Sequence, residues 1–277
     1  MEPLSRLRRG RLVLDVRDEG PPGGDAVVLL HGFPQDASCW DRVAPRLHAA
    51  GMRTLAPDQR GYSPGARPRG RSAYKLRWLV ADVAALLDAA GLSRCHLVGH
   101  DWGGAVAWAA AAAWPGRVAS LTVVSTPHPQ AYARSLVRSG QALRSWYIGV
   151  FQLPRLPEAA VRPVLAGTLR RSGLPAADAA RYAARMQEPG ALTAAINWYR
   201  AIPLYGARLR PAGPVPVPTT YLWGARDPAL GRAAARATAD HVVGDYAFVE
   251  SDGGHWLPET RPEEVAGAIL ARVRAPG

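Results

Sequence analysis

The feature that most constrains the fold is a strand, a sharp turn of small residues and a helix in direct succession between positions 95 and 113. Residues 95–98 (CHLV) are strand-like, and Gly99-His100-Asp101-Trp102-Gly103-Gly104 forms the turn. Residues 102–113 are small and apolar, suited to a helix lying close on a sheet. A turn this sharp strains the backbone of its central residue, so the positions two residues away on either side must be small. Gly99 and Gly103 meet that need. Such a unit belongs in a parallel sheet, where each strand returns through a crossover helix.

The same alternation runs through the first half of the chain. Residues 26–30 (AVVLL) and 52–56 predict buried strands, and 118–124 predicts another. Within 74–90 the apolar residues Leu76, Leu79, Val80, Val83, Leu86 and Leu87 recur at helical spacing. From about 127 to 216 the text is helical, rich in Arg and Ala and broken by prolines. Pro211, Pro214, Pro216 and Pro218 predict a stiff linker. Strand character resumes at 219–223 and 246–250, and 262–274 predicts a terminal helix. The expected architecture is an α/β core, residues 1–127 and 217–277, with a helical cap inserted at 128–216. An insert after the C-terminal end of a strand lies over the edge where such sheets bind ligands.

With 48% hydrophobic and 20% charged residues in 277, a sizeable core is available. The net charge is +12, and Lys75 is the only lysine. Arginines are scattered, with short clusters at Arg6, Arg8, Arg9 and Arg11 and at Arg67, Arg69 and Arg71. No predicted helix carries a basic stripe interleaved with aromatics, so the excess charge reads as solvated surface and no nucleic-acid partner is expected. Cys39 and Cys95 are expected to be reduced thiols, and nothing sits at metal-ligand spacing, so neither metal nor cofactor is expected. The basic N-terminus lacks the apolar run of a leader, and no stretch of about 18 apolar residues could span a bilayer. A cytoplasmic location without stable membrane association is expected, with the oligomeric state open between monomer and homodimer.

At the centre of the turn stands Asp101 in place of the usual serine. A carboxylate is ionised at neutral pH and attacks without a base. The resulting ester carbonyl belongs to the protein, so a base is needed only to direct water at it. Suitable targets are electrophilic sp³ carbons bearing a leaving group, such as epoxides or alkyl halides. The alternative is an aspartate that merely caps the next helix. The active reading requires an acid after a later strand and a histidine near the end, in that order. Asp227, in Gly224-Ala225-Arg226-Asp227-Pro228, and His255, in Gly253-Gly254-His255-Trp256, fill those places. Of the seven histidines, His48 and His241 read as surface residues, His96 lies in a strand, and His31 and His100 border turns where structural hydrogen bonds are expected. The turn His31-Gly32-Phe33-Pro34-Gln35 follows the AVVLL strand and can aim the Phe33 backbone N–H at the site. The Trp102 N–H is the second expected donor of this oxyanion hole. A cis Phe33–Pro34 bond would suit so tight a turn.

These segments resemble the α/β-hydrolase superfamily over essentially the whole chain, and within it the epoxide hydrolases. His31-Gly32-Phe33-Pro34, Asp58-Gln59-Arg60-Gly61-Tyr62-Ser63 and the Asp101 turn are similar to three family signatures in the family's order. The middle one reads as structural, with Arg60 bracing neighbouring loops. The resemblance implies two cap tyrosines that hydrogen-bond the epoxide oxygen. Asn197-Trp198-Tyr199-Arg200 is similar to the family's tyrosine motif, and Trp146-Tyr147, ahead of Phe151-Gln152-Leu153-Pro154, resembles its first-tyrosine region. Tyr199 and Tyr147 are thus the implied pair, with Tyr132, Tyr182 and Tyr205 as the alternatives.

The expected reaction is conversion of a small apolar epoxide to a vicinal diol through an ester on Asp101, with Phe33, Trp102, Trp146 and Trp198 lining the pocket. Two other functions remain open. A haloalkane or haloacid dehalogenase would use the same nucleophile, with Trp102 offering an N–H to the departing halide. A non-catalytic binding protein would keep the fold without turnover.

Overall fold

The computed structural model describes residues 2–205 and 213–275. Among them, eight strands form one sheet: β1 (Arg6–Arg9), β2 (Leu12–Glu19), β3 (Ala26–Leu30), β4 (Arg53–Pro57), β5 (Cys95–His100), β6 (Val118–Val124), β7 (Thr219–Gly224) and β8 (Tyr246–Ser251). Their spatial order is β1-β2-β4-β3-β5-β6-β7-β8. β2 runs antiparallel to both its neighbours, and every pairing from β4 to β8 is parallel. This is the mostly parallel α/β sheet that the alternation predicts. Val27, Val28, Leu29 and Leu30 of β3 are fully buried, as a strand covered by helices on both faces must be.

Three helices come first: α1 (Ala44–Ala49), α2 (Leu76–Ala89) and α3 (Trp102–Ala113). The predicted stripe of α2, from Leu76 to Leu87, is buried at every position. Helix α3 packs on β5 and β6 through Val106, Ala107 and Trp108. The connection from β6 to β7 then holds α4 (Pro129–Arg138), α5 (Gln141–Arg144), α6 (Trp146–Val150), α7 (Leu156–Val161), α8 (Leu165–Arg171), α9 (Ala176–Gln187) and α10 (Ala191–Ala201). Pro211, one of the predicted linker prolines, lies outside the described residues. After β7 come α11 (Arg232–Ala237), α12 (Leu257–Thr260) and α13 (Pro262–Arg274), the last packed on β6 and β7.

Three expectations need correction. Arg6, Arg8 and Arg11 are solvated as expected, but Arg6 to Arg9 form β1, with Leu7 turned into the core and Arg9 half-buried and paired to the buried Asp82 at 3.1 Å. The Arg67 side chain is nearly covered and pairs with Glu188 at 2.6 Å. His241 is not a surface residue either; it is buried and stacked on His128 with ring centroids 4.5 Å apart. Arg60 braces loops as expected, donating to both oxygens of Asp82 and to the Ala73 carbonyl.

Candidate active site

The C-terminal ends of β3, β5, β6, β7 and β8 lie on one edge of the sheet, and the sequence-predicted groups converge there. Asp101, between β5 and α3, has φ +50° and ψ −120°, a conformation costly for a residue with a Cβ. The turn is compressed against its surroundings. A Cβ added to Gly99 would run into the Gly103 carbonyl, and one on Gly103 into the Leu30 carbonyl, each well inside 3.0 Å. The Thr126 hydroxyl donates to the Asp101 carbonyl at 2.7 Å and pins the turn from the loop after β6. The Asp101 side chain makes no capping bond to α3, which removes the helix-cap alternative. Its Oδ1 instead accepts the Phe33 N–H at 2.8 Å.

Asp227 and His255 stand where the chain order requires. Asp227 Oδ1 accepts the N–H groups of Ala229 and Leu230 at 2.7 and 3.0 Å. Its Oδ2 lies 2.8 Å from His255 Nδ1. With both oxygens so held, the imidazole has one orientation, and its Nε2 reaches to 3.6 Å from Asp101 Oδ2. The Ser125 hydroxyl donates to the His255 carbonyl at 2.8 Å, fixing that loop from β6. Burial alone would lower the His255 pKa, but the carboxylates of Asp227 and Asp101 on either side overcome it and raise it to about 10. Burial likewise opposes the Asp101 charge, yet His255 and the Phe33 N–H hold its pKa below 3.8.

The turn that supplies the Phe33 N–H is built on buried polar groups that sequence reasoning missed. Its Phe33–Pro34 peptide is cis. Gly32 N–H donates to Gln35 Oε1 at 3.0 Å, and Gln35 Nε2 donates to Glu259 Oε1 at 2.7 Å. The Tyr182 hydroxyl, from α9, donates to the same Glu259 oxygen at 2.9 Å. Burial raises the Glu259 pKa to about 7 despite these donors. His100 Nδ1 lies 2.8 Å from Gln35 Oε1, and His31 Nε2 accepts the Gln59 N–H at 3.0 Å, so both histidines serve the turns as expected. The signal for Glu259 was its place four residues after His255, but a glutamate opening a helix reads as surface.

Over the carboxylate lies a cluster of aromatic rings. The Tyr199 ring on α10 meets Trp102 at 5.0 Å, Phe33 at 5.4 Å, Phe151 at 5.0 Å and Tyr147 of α6 at 5.9 Å. Arg200 locks α10 to the α6–α7 turn by donating to the Phe151 and Leu153 carbonyls and to Glu158. Gln152 Nε2 donates to the Tyr199 carbonyl at 2.9 Å. Burial first, then the nearby Asp101 charge and, for Tyr199, the neighbouring Tyr147, push both phenol pKa values far above the usual 10. Both are neutral at physiological pH. Neither hydroxyl donates to a protein acceptor among the described residues, whereas Tyr132 and Tyr182 are spent on Ser145 and Glu259. Phe151, not expected from the sequence, joins the cluster through Phe33, Tyr147 and Tyr199.

Trp146, expected to line the pocket, does not join the ring cluster. It is 67% exposed and makes no contact with the ring cluster. Consecutive residues on a helix point about 100° apart, so α6 turns Tyr147 inward and Trp146 outward. Trp198 is fully buried behind Trp102, at 5.6 Å, and its indole N–H donates to the Arg60 carbonyl at 2.8 Å, so it backs the Trp102 ring. Among the described residues no three His, Cys, Asp or Glu side chains are grouped to hold a metal ion.

Comparison with known proteins agrees with this geometry. The family model for the alpha/beta hydrolase fold matches residues 25–262. The Bacillus subtilis AB hydrolase superfamily protein YfhM is 35% identical, covering 94% of this chain and 93% of its own. Epoxide hydrolase A of Mycobacterium tuberculosis is also 35% identical, over 93% of this chain and 92% of its own. The crystal structure of epoxide hydrolase A from Mycobacterium thermoresistibile superposes with a TM-score of 0.84 at 31% identity, covering 99% of both chains. By the Asp101 turn, the strand order and these matches, the chain belongs to the α/β-hydrolase fold family.

Proposed function

We propose that the chain is an epoxide hydrolase that opens a small apolar epoxide to a vicinal diol through an ester on Asp101, with residues 128–216 as the cap over the site. One observation carries this reading: two neutral phenols with undonated hydroxyls, Tyr147 and Tyr199, stand in one aromatic cluster over an ionised carboxylate. Relatives named epoxide hydrolase at 34–35% identity support it. A departing halide needs no proton, so paired phenols favour an epoxide over a haloalkane. The two buried thiols, Cys39 and Cys95, fit a reducing compartment such as the cytoplasm.

The steps balance within the residues present. Asp101 attacks a ring carbon, the C–O bond breaks, and the oxygen takes a proton from Tyr147 or Tyr199. The His255 proton restores the phenol, leaving a neutral ester beside a neutral imidazole. His255, oriented by Asp227, then takes a proton from water, which adds to the Asp101 carbonyl carbon. The Phe33 and Trp102 N–H groups hold the oxyanion. Collapse expels the diol alkoxide, which takes one proton, and Asp101 and His255 return as an ion pair.

A single turnover in ¹⁸O-water tests the reading. The label should enter the Asp101 carboxylate and be absent from the first diol released. Label in that diol with none in Asp101 would mean direct attack by water and would end the proposal.

A further inference from the structure

Helix α6 is apolar all the way round: Trp146, Tyr147, Ile148, Gly149 and Val150, with Phe151 next. A helix of that composition normally lies inside a protein. Here only one face is inside. Tyr147 and Phe151 enter the ring cluster, while Trp146 is 67% and Val150 38% exposed. Leu143, Leu153 and Leu156, close to α6 in the chain, are exposed as well, and most of the exposed large apolar side chains among the described residues fall between positions 137 and 164. Singly exposed apolar residues need no explanation, but a concentrated run marks a surface that something covers.

Charge indicates what covers it. The same stretch carries Arg138, Arg144, Arg155 and Arg162, and its one acid, Glu158, is occupied by Arg200. Arg138, Arg155 and Arg162 are exposed and form no ion pair among the described residues. Beside the apolar run, Arg155 and Arg71 border an open cleft of about 540 Å³ that also takes in Gln152 and Asn197. Asn197 is buried there, and Gln152 Oε1 is buried without a hydrogen-bond partner. Exposed apolar side chains interspersed with unpaired guanidiniums match the boundary between headgroups and acyl chains of an acidic bilayer. Two copies of this surface would set arginine against arginine, which disfavours self-pairing.

We propose that the outer face of the cap, from Leu143 to Leu156, docks reversibly on an anionic lipid surface. The apolar side chains enter the acyl boundary, and Arg138, Arg155 and Arg162 meet the phosphates. Because α6 carries Tyr147 on its other face, an apolar epoxide dissolved in the bilayer is delivered beside the candidate active site. That last consequence rests on the proposed function; the docking does not.

Sedimentation of the full chain with phosphatidylcholine vesicles, with and without phosphatidylglycerol, tests the docking. The protein should pellet with the mixed vesicles, stay in solution with phosphatidylcholine alone, and be released as salt is raised. Replacing both Arg155 and Arg162 by Glu should weaken partitioning by roughly thirtyfold or more, from about 1 kcal/mol for each arginine near the surface. Leu143→Glu with Leu156→Glu should also abolish it, with thermal unfolding unchanged for either pair. Equal partitioning onto both vesicle types, or onto neither, would overturn the proposal. So would a dimer in solution that the leucine substitutions dissolve, since the face would then bind its own copy. Diol formation from a water-soluble epoxide reports separately on the proposed function.

Discussion

His255 Nε2 stands 3.6 Å from Asp101 Oδ2, beyond a hydrogen bond but close enough for each group to set the other's charge. The free protein therefore holds an imidazolium beside a carboxylate: Asp101 below its usual pKa, His255 raised to about 10. An imidazolium cannot be a general base. In the proposed reaction, esterification of Asp101 removes one of the two carboxylates that raise His255, so the base would come into being only once its target exists.

This order of events gives the two half-reactions different pH profiles. Formation of the ester needs ionised Asp101 and neutral phenols, both present from about pH 5 to 9. Its rate, followed by rapid quench, should be flat over that range. Hydrolysis of the ester needs neutral His255, whose pKa in that state lies below the value of about 10 in the free protein, because the Asp101 charge is gone while Asp227 remains. The hydrolytic rate should rise with pH and then level. An ester-forming step that rises in parallel would contradict the ion-paired resting state.

Replacing His255 by Gln should leave Asp101 reactive and block only the second step. Intact-protein mass spectrometry after exposure to an epoxide should show one added substrate mass, lost when Asp101→Asn is introduced as well. Steady-state diol formation should fall by about 10²-fold to 10⁴-fold, the usual contribution of a positioned base. The absence of any adduct would count against a carboxylate nucleophile.

In the proposed reaction Tyr147 and Tyr199 act before the ester forms, so their loss should be felt in the first step. Tyr147→Phe and Tyr199→Phe are each expected to slow ester formation on the order of 10²-fold, with ester hydrolysis little changed. Both rings pack on Phe151, and phenylalanine keeps that packing, so thermal stability should hold. Unaltered ester formation in both variants would shift the assignment towards an alkyl halide.

The Asp101 turn, the acid and the histidine could be placed from the sequence because backbone geometry demands small residues and a fixed chain order. The β1–β2 hairpin was harder to see, since arginines surround Leu7 and obscure its alternation with Leu14 and Val16 on the inner face. Trp146 reads as a pocket residue in the sequence because an aromatic beside Tyr147 carries no sign of which way its helix faces. His241 and Glu259 escaped for a related reason: burial of a polar side chain depends on partners distant in sequence, here His128, Gln35 and Tyr182.

Glu259 should make stability pH-dependent in a defined direction. Its pKa in the folded chain is raised from 4.5 to about 7, so folding favours the protonated carboxyl. That stability is complete below pH 4.5 and is lost as pH rises through 7, on the order of 3 kcal/mol in all. Glu259→Gln keeps the shape without the titration. Relative to this variant, the wild-type Tm should fall between pH 4.5 and 7.5; a constant difference between the two would show that Glu259 stays ionised throughout.

Two glycine substitutions separate close approach from mere conformational freedom. At Gly103 a methyl group would collide with the Leu30 and His31 carbonyls, backbone atoms that cannot yield without moving β3 from the Asp101 turn. Gly103→Ala should cost about 3 kcal/mol or more and remove activity in whatever fraction still folds. Gly267, on an exposed turn of α13, has nothing within 4 Å of an added Cβ and no positive φ. There alanine replaces the more flexible residue in a helix interior, and Gly267→Ala should raise stability by about 0.5–1 kcal/mol. Chemical denaturation of the two variants measures both effects, and equal midpoints would mean that the turn is less tightly packed against β3 than these contacts require.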